Sequence, residues 1–141
     1  MRFSARVEGL KGQGAAAWDI HAAAVRAKAA GEDVVLMSVG DPDLDTPAPV
    51  VERAVEGLRA GRTHYSPMAG LGEVRERVAA RFRAGGGPAE TAAANVAVVA
   101  GAQNGLFAAA QLLFGPGDEV LLPDPAYVTY EATLRAAGAV P

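Results

Sequence analysis

The sequence predicts an α/β fold, and three features predict it. From residue 96 onward, short apolar runs alternate with helical patterns: strand 96–100, helix 102–114, strand 119–122, helix 126–137. Upstream, Val34-Val35-Leu36-Met37 reads as a short buried strand that follows an alanine-rich helix. Finally, Gly101-Ala102-Gln103-Asn104-Gly105 lies between the apolar run Val96-Ala97-Val98-Val99-Ala100 and the helical pattern Leu106, Phe107, Ala110, Leu113, Phe114. Strands that alternate with helices pair in parallel, because each crossover returns the chain to the same end of the sheet.

The elements follow in order. Residues 1–14 are mixed and glycine-rich and read as an arm. Ala15 to Ala30 favours helix, and Gly31 stops it. Gly40 to Pro49 is a loop of Asp, Pro and Thr. Thr46 is expected to cap the next helix, with Pro47 and Pro49 in its first turn, where a missing N–H costs little. Val50, Val51, Ala54, Val55 and Leu58 give that helix its apolar stripe, and Gly61 ends it. After the loop Arg62–Gly70, helical spacing returns in Leu71, Val74, Val78 and Phe82, until Gly85-Gly86-Gly87-Pro88 breaks it. Gly138 stops the final helix, and Ala139-Val140-Pro141 reads as the opening of another strand.

Composition narrows the function. The chain has 141 residues, 50% of them hydrophobic and 21% charged, which argues against disorder. Much of the apolar content is alanine, and Ile20 is the single isoleucine, so the expected core is thin. A net charge of −3 gives no support to nucleic-acid binding. Arg75, Arg77, Arg81 and Arg83 read as a solvated helix face. The absence of cysteine excludes disulfide and thiolate chemistry. His21 and His64 are too few and too far apart for a zinc site, so no metal is expected, and neither histidine is assigned a role. No segment has the pattern of a signal peptide or a charge-free membrane span, and a cytoplasmic location is the expectation.

The Gly101–Gly105 turn carries the first chemical hint. A strand running into a helix through such a turn points free N–H groups at one spot, where the helix dipole also favours negative charge. That makes a phosphate cup, although a plain βα turn uses the same glycines.

Further motifs stand in a fixed order around it. They are Ser38-Val39-Gly40-Asp41-Pro42-Asp43, Thr63-His64-Tyr65-Ser66-Pro67, Gly117-Asp118-Glu119-Val120-Leu121-Leu122-Pro123 and Asp124-Pro125-Ala126-Tyr127-Val128-Thr129-Tyr130. Together with the glycine turn they resemble the N-terminal part of the fold-type I, pyridoxal-phosphate-dependent aminotransferases of class I/II. Gly14-Ala15-Ala16-Ala17-Trp18-Asp19-Ile20-His21 and Tyr127-Val128-Thr129-Tyr130-Glu131-Ala132 also look like the bacterial arginine–pyruvate transaminase group.

The resemblance implies a mostly parallel sheet with flanking helices, truncated here. Residues 1–46 would be the N-terminal arm and the start of the small domain, and 47–141 the first part of the large cofactor-binding domain. It implies transfer of an amino group from an amino acid to a 2-oxo acid through pyridoxal 5'-phosphate, in a homodimer. It places Ala102 and Gln103 at the cofactor phosphate, acting mainly through backbone N–H groups; the family often has Ser, Thr or Lys at one position of this cup. Tyr127 falls where an aromatic stacks on the pyridine ring, and Tyr65 where a tyrosine reaches the phosphate of the neighbouring subunit. Gly40 would approach the substrate carboxylate, and Trp18 would line the substrate entrance. Without the resemblance, Tyr127 reads as a core tyrosine, Tyr65 as a surface loop residue, Gly40 as part of an Asp-Pro turn and Trp18 as a packing anchor for the arm.

No catalytic residue is expected within these residues. The only lysines are Lys11 and Lys28, and neither fits the position of the lysine that carries the cofactor in the family. The chain alone is therefore expected to be inactive and to be part of a longer protein. Alternatives on the same scaffold are a carbon–sulfur β-lyase and a non-catalytic ligand-sensing domain. A dinucleotide-binding domain would need G-x-G-x-x-G after the first strand, which Gly101–Gly105 does not supply.

Overall fold

The computed structural model describes residues 4–10 and 13–141. Lys11 lies outside the described residues. The chain divides into two compact units, one of residues 1–41 with 101–141 and one of residues 42–100. Among the described residues no helix is long and apolar enough to cross a membrane.

The first unit holds α1 (Ala5–Gly9), α2 (Gln13–Ala29), α5 (Ala102–Leu113) and α6 (Tyr130–Ala137). The segment expected to be an arm is thus partly helical, and α2 starts two residues earlier than the alanine run suggested. Its core is small. Ala110 of α5 meets Leu134 and Ala137 of α6 and Ala139 just beyond, with Phe114, Val120 and Leu122 packed against them. Alanines at the contact let the two helices approach closely, but they bury little area. Gly138 closes α6 in the left-handed conformation, with the Ala139 N–H bonded to the Leu134 carbonyl at 3.1 Å.

The final helix starts at Tyr130, not at 126, because residues 124–129 form bends and a turn around Tyr127. The Tyr130 N–H closes that turn on the Tyr127 carbonyl at 3.0 Å. The expected strand 119–122 is reduced to one parallel bridge, Glu119 to Val140. It is carried by Val120 N–H to Val140 O at 2.9 Å and Val140 N–H to Asp118 O at 2.7 Å. The sense is parallel, as alternation predicts. Yet 34–37, 96–100 and 119–122 form no strand, and none is assigned among the described residues. A ladder needs consecutive backbone pairs with a neighbour, and these segments find no such run of partners.

The second unit holds α3 (Ala48–Arg59), α4 (Gly72–Ala84) and a 3-10 turn at Ala93–Asn95. Thr46 does not cap α3. The position before the first helical residue is Pro47, whose carbonyl accepts the Val50 N–H at 2.9 Å, and no side chain caps the helix. The apolar stripe Val50, Val51, Val55 and Leu58 is exposed. In α4, Ala79 is buried; of the arginines expected on a solvated face, Arg83 is exposed and Arg75 half-buried, and both also bond to backbone carbonyls. Arg75 Nε donates to the Ala93 carbonyl at 2.9 Å, and the Arg83 guanidinium donates to the Thr91 carbonyl. Backbone carbonyls in a tight turn need donors, and long guanidinium side chains reach them. Arg77 and Arg81 are exposed as expected.

Candidate active site in the first unit

Gly101 sets the geometry of the turn. Its φ of 84° and ψ of 167° lie in a region that glycine alone enters readily. Its carbonyl accepts the Gly105 N–H at 3.2 Å, the opening hydrogen bond of α5. The N–H groups of Ala102, Gln103 and Asn104 therefore precede the hydrogen-bonded ladder and have no intrahelical acceptor. Ala102, Gln103 and Asn104 are exposed. These donors at a helix N-terminus form a suitable set for a phosphate.

The side chain of Gln103 is committed elsewhere. Its Oε1 accepts from Thr129 Oγ1 at 2.6 Å, and its Nε2 donates to Thr133 Oγ1. Thr133 Oγ1 donates in turn to the Thr129 carbonyl at 2.8 Å. Thr133 is buried, and both threonine hydroxyl protons and one N–H of the Gln103 amide meet acceptors. The first turn of α5 is thus tied to the start of α6, two residues beyond Tyr127.

Around this junction lie adjoining cavities. One of about 330 Å³ is lined by Gln103, Trp18, Phe107, Thr129 and Glu131, among others. A smaller one of about 170 Å³ brings together Trp18, Ser38, Gly40 and Tyr127. Trp18 and Val128 line both. The fold of the first unit thus gathers four residues that the sequence singled out separately: Gln103, Tyr127, Gly40 and Trp18. Tyr127 is 61% exposed, and its ring leans on Tyr130 with centroids 5.6 Å apart. Glu131 lines the larger cavity while pairing with Arg135 at 2.9 Å.

Two supports escaped the sequence. His21 Nδ1 lies 2.7 Å from Ser38 Oγ, and its ring meets Trp18 edge to face at 5.9 Å. Histidine at this place ties α2 to the loop that carries Gly40. The spacing of Trp18 and His21, three residues apart on one helix, was the available signal. Thr129, just before α6, and Thr133 within it are one turn apart, but their links to Gln103 span 26 and 30 residues of sequence and have no local signature.

Tyr65 belongs to the second unit. It is fully exposed, in a shallow depression with Thr63, His64 and Ser66. Its hydroxyl makes no hydrogen bond among the described residues. Lys28 is exposed in the last turn of α2. No group of acidic residues and histidines among the described residues could hold a metal ion.

A helix terminus with free N–H groups, an exposed ring and a glycine loop thus belong to one junction of the first unit. The comparisons give the family. The model for aminotransferase class I and II matches residues 32–141, and the chain belongs to that family. It is 50% identical over 139 residues to an arginine–pyruvate transaminase of Pseudomonas aeruginosa, covering 99% of this chain and 35% of the relative. It is 38% identical to an aspartate/prephenate aminotransferase of Thermus thermophilus, covering 98% and 35%. Among solved structures, an aspartate aminotransferase from Thermus thermophilus with maleate superposes with a TM-score of 0.89 at 36% identity, over 99% of this chain and 36% of that one. An aspartate aminotransferase from Thermotoga maritima gives 0.86 at 33% identity, over 98% and 36%. The chain thus has the fold of the corresponding part of these aminotransferases and spans about a third of their length.

Proposed function

We propose that this chain belongs to an aminotransferase that moves an amino group from an amino acid to a 2-oxo acid with pyridoxal 5'-phosphate, and that it supplies the phosphate cup and ring-stacking part of the site. The observation that carries this is the free N–H set of Ala102–Asn104 at one junction with Tyr127, Trp18 and Gly40. The donor chemistry fits the cofactor. Neutral N–H groups at a helix N-terminus suit a phosphate dianion, and an exposed phenol ring suits one face of a pyridine. When bound, the cofactor supplies an electron-withdrawing ring that makes the amino acid Cα proton removable.

The chain's own residues bind and orient. The backbone of Ala102 and Gln103 holds the phosphate, while Tyr127 covers the ring and keeps water from that face. Gly40 leaves room for a substrate carboxylate, since no side chain projects from it, and Trp18 walls the entrance. Tyr65, exposed and unpaired, is free to reach the phosphate of a second subunit in a homodimer. Half of all aligned positions are shared with the arginine–pyruvate transaminase, which favours arginine as donor and pyruvate as acceptor. Residues 1–46 would serve as arm and small-domain start, and 47–141 as the first part of the large domain, with parallel α/β packing.

The test is a titration of the chain with pyridoxal 5'-phosphate and with pyridoxal, read by the emission of Trp18, its single tryptophan. The phosphorylated compound should bind more tightly, by about tenfold or more. Equal affinities, or no binding of either, would count against the cup. Turnover of arginine and pyruvate by the whole enzyme then tests the substrates.

A further inference from the structure

We infer that Gln103 is a positioning residue whose amide locks the Tyr127 segment to the phosphate end of α5, so that the cup and the stacking ring move as one body. The inference rests on the cofactor reading above and goes beyond it. There, Gln103 contributes a backbone N–H. Here its side chain has a separate task.

The amide bonds at the start of α6 through its oxygen and one of its two N–H groups. Oε1 accepts from Thr129 Oγ1, and Nε2 donates to Thr133 Oγ1. The bond from Thr133 Oγ1 to the Thr129 carbonyl uses up the Thr133 proton. That leaves Thr133 an acceptor only, so the Gln103 amide has one favourable orientation. Thr129 precedes the first residue of α6 and stands two residues after Tyr127. Its side chain makes no cap to its own helix, because it is turned to Gln103. Residues 124–129 are bends and turn, without a ladder to hold them. The segment bearing Tyr127 is therefore held at its C-terminal end by this amide and by the Tyr130-to-Tyr127 turn. A serine or threonine at 103 could reach a bound phosphate but could not span to both threonines.

The experiment is a double-mutant cycle on this chain. Pyridoxal 5'-phosphate is titrated into wild type, Q103A, Y127A and the double variant, with Trp18 emission as readout. Q103A should weaken binding about fivefold to tenfold, the effect of one net hydrogen bond. In the Y127A background the same substitution should change affinity by less than about twofold, because the ring it positions is gone. T129V should reproduce Q103A. An undiminished Q103A loss in the Y127A background would overturn the inference, as would no loss at all.

If wild type binds no pyridoxal 5'-phosphate, the cofactor reading fails, and the clamp is read without it. Amide exchange at 127–129 should then accelerate in Q103A well beyond that at 134–137. Exchange that stays unchanged, or rises equally in both places, refutes the clamp.

Discussion

Replacing Gly14 by alanine is expected to unseat α2 from the junction. Gly14 lies in the first turn of α2, against the backbone of Val128. A Cβ built there would fall on the Val128 carbonyl oxygen, 3.0 Å from its carbon and 3.5 Å from the Val128 Cα. Those atoms are backbone and cannot swing away as a side-chain tip would. Relief requires lifting the helix by roughly 1 Å, at the usual overpacking cost of about 1–3 kcal/mol. The gain from better helix propensity, at most about 1 kcal/mol, offsets part of this. A net loss of up to about 2 kcal/mol is a factor of up to roughly 30 in the docking equilibrium. Trp18 is one helical turn further on and lines two cavities with Val128, so it reports the change directly. G14A should shift Trp18 emission to the red and lower the urea midpoint followed by that emission. G9A is the control, because a Cβ at Gly9 meets nothing within 4 Å. If G14A keeps both the emission and the midpoint of wild type, α2 does not seat on Val128 and the reasoning fails.

Other perturbations separate the remaining supports. G101A forces alanine into φ 84°, ψ 167°, which should cost about 1–3 kcal/mol and speed amide exchange at 102–105; unchanged exchange would show that the turn tolerates a side chain. T133V removes the buried hydroxyl beneath Gln103, and the unfolding free energy should fall by about 1 kcal/mol. R135A breaks a partly exposed i,i+4 pair with Glu131 and should cost only about 0.3–0.5 kcal/mol, shrinking further at high salt. H21A should leave the urea midpoint nearly unchanged and accelerate exchange at 38–40, where Ser38 loses its partner.

How much of this was legible in the sequence depends on the range of each interaction. Helices α4 and α5 follow apolar spacing and glycine stops that act within a turn or two, and the sequence placed α5 to within a residue at its end. Thr46 failed as a cap because Pro47 already opens α3, and the choice between adjacent residues turns on dihedral angles that the sequence leaves open. The expected start at 126 failed because the residues after Pro125 take a turn before α6. Arg83 is exposed as expected and Arg75 half-buried, and each also reaches a backbone carbonyl of the 91–93 segment, a contact that helical spacing does not reveal.

The sequence by itself determined the places where backbone chemistry is local: the glycine turn at 101, the free N–H groups that follow it, the helices with their stops, and the aromatic at 127. Tertiary structure alone decided which of these meet. It set the Gln103 side chain on Thr129 and Thr133, seated Gly14 on the Val128 carbonyl, and brought Trp18, Gly40 and Tyr127 to one cavity. It also reduced the expected strands to the single bridge from Glu119 to Val140. The physical reason is the same throughout. A turn or helix satisfies its hydrogen bonds with near neighbours in sequence, whereas a clamp, a close backbone contact or a strand ladder needs a partner that only the folded chain brings within reach.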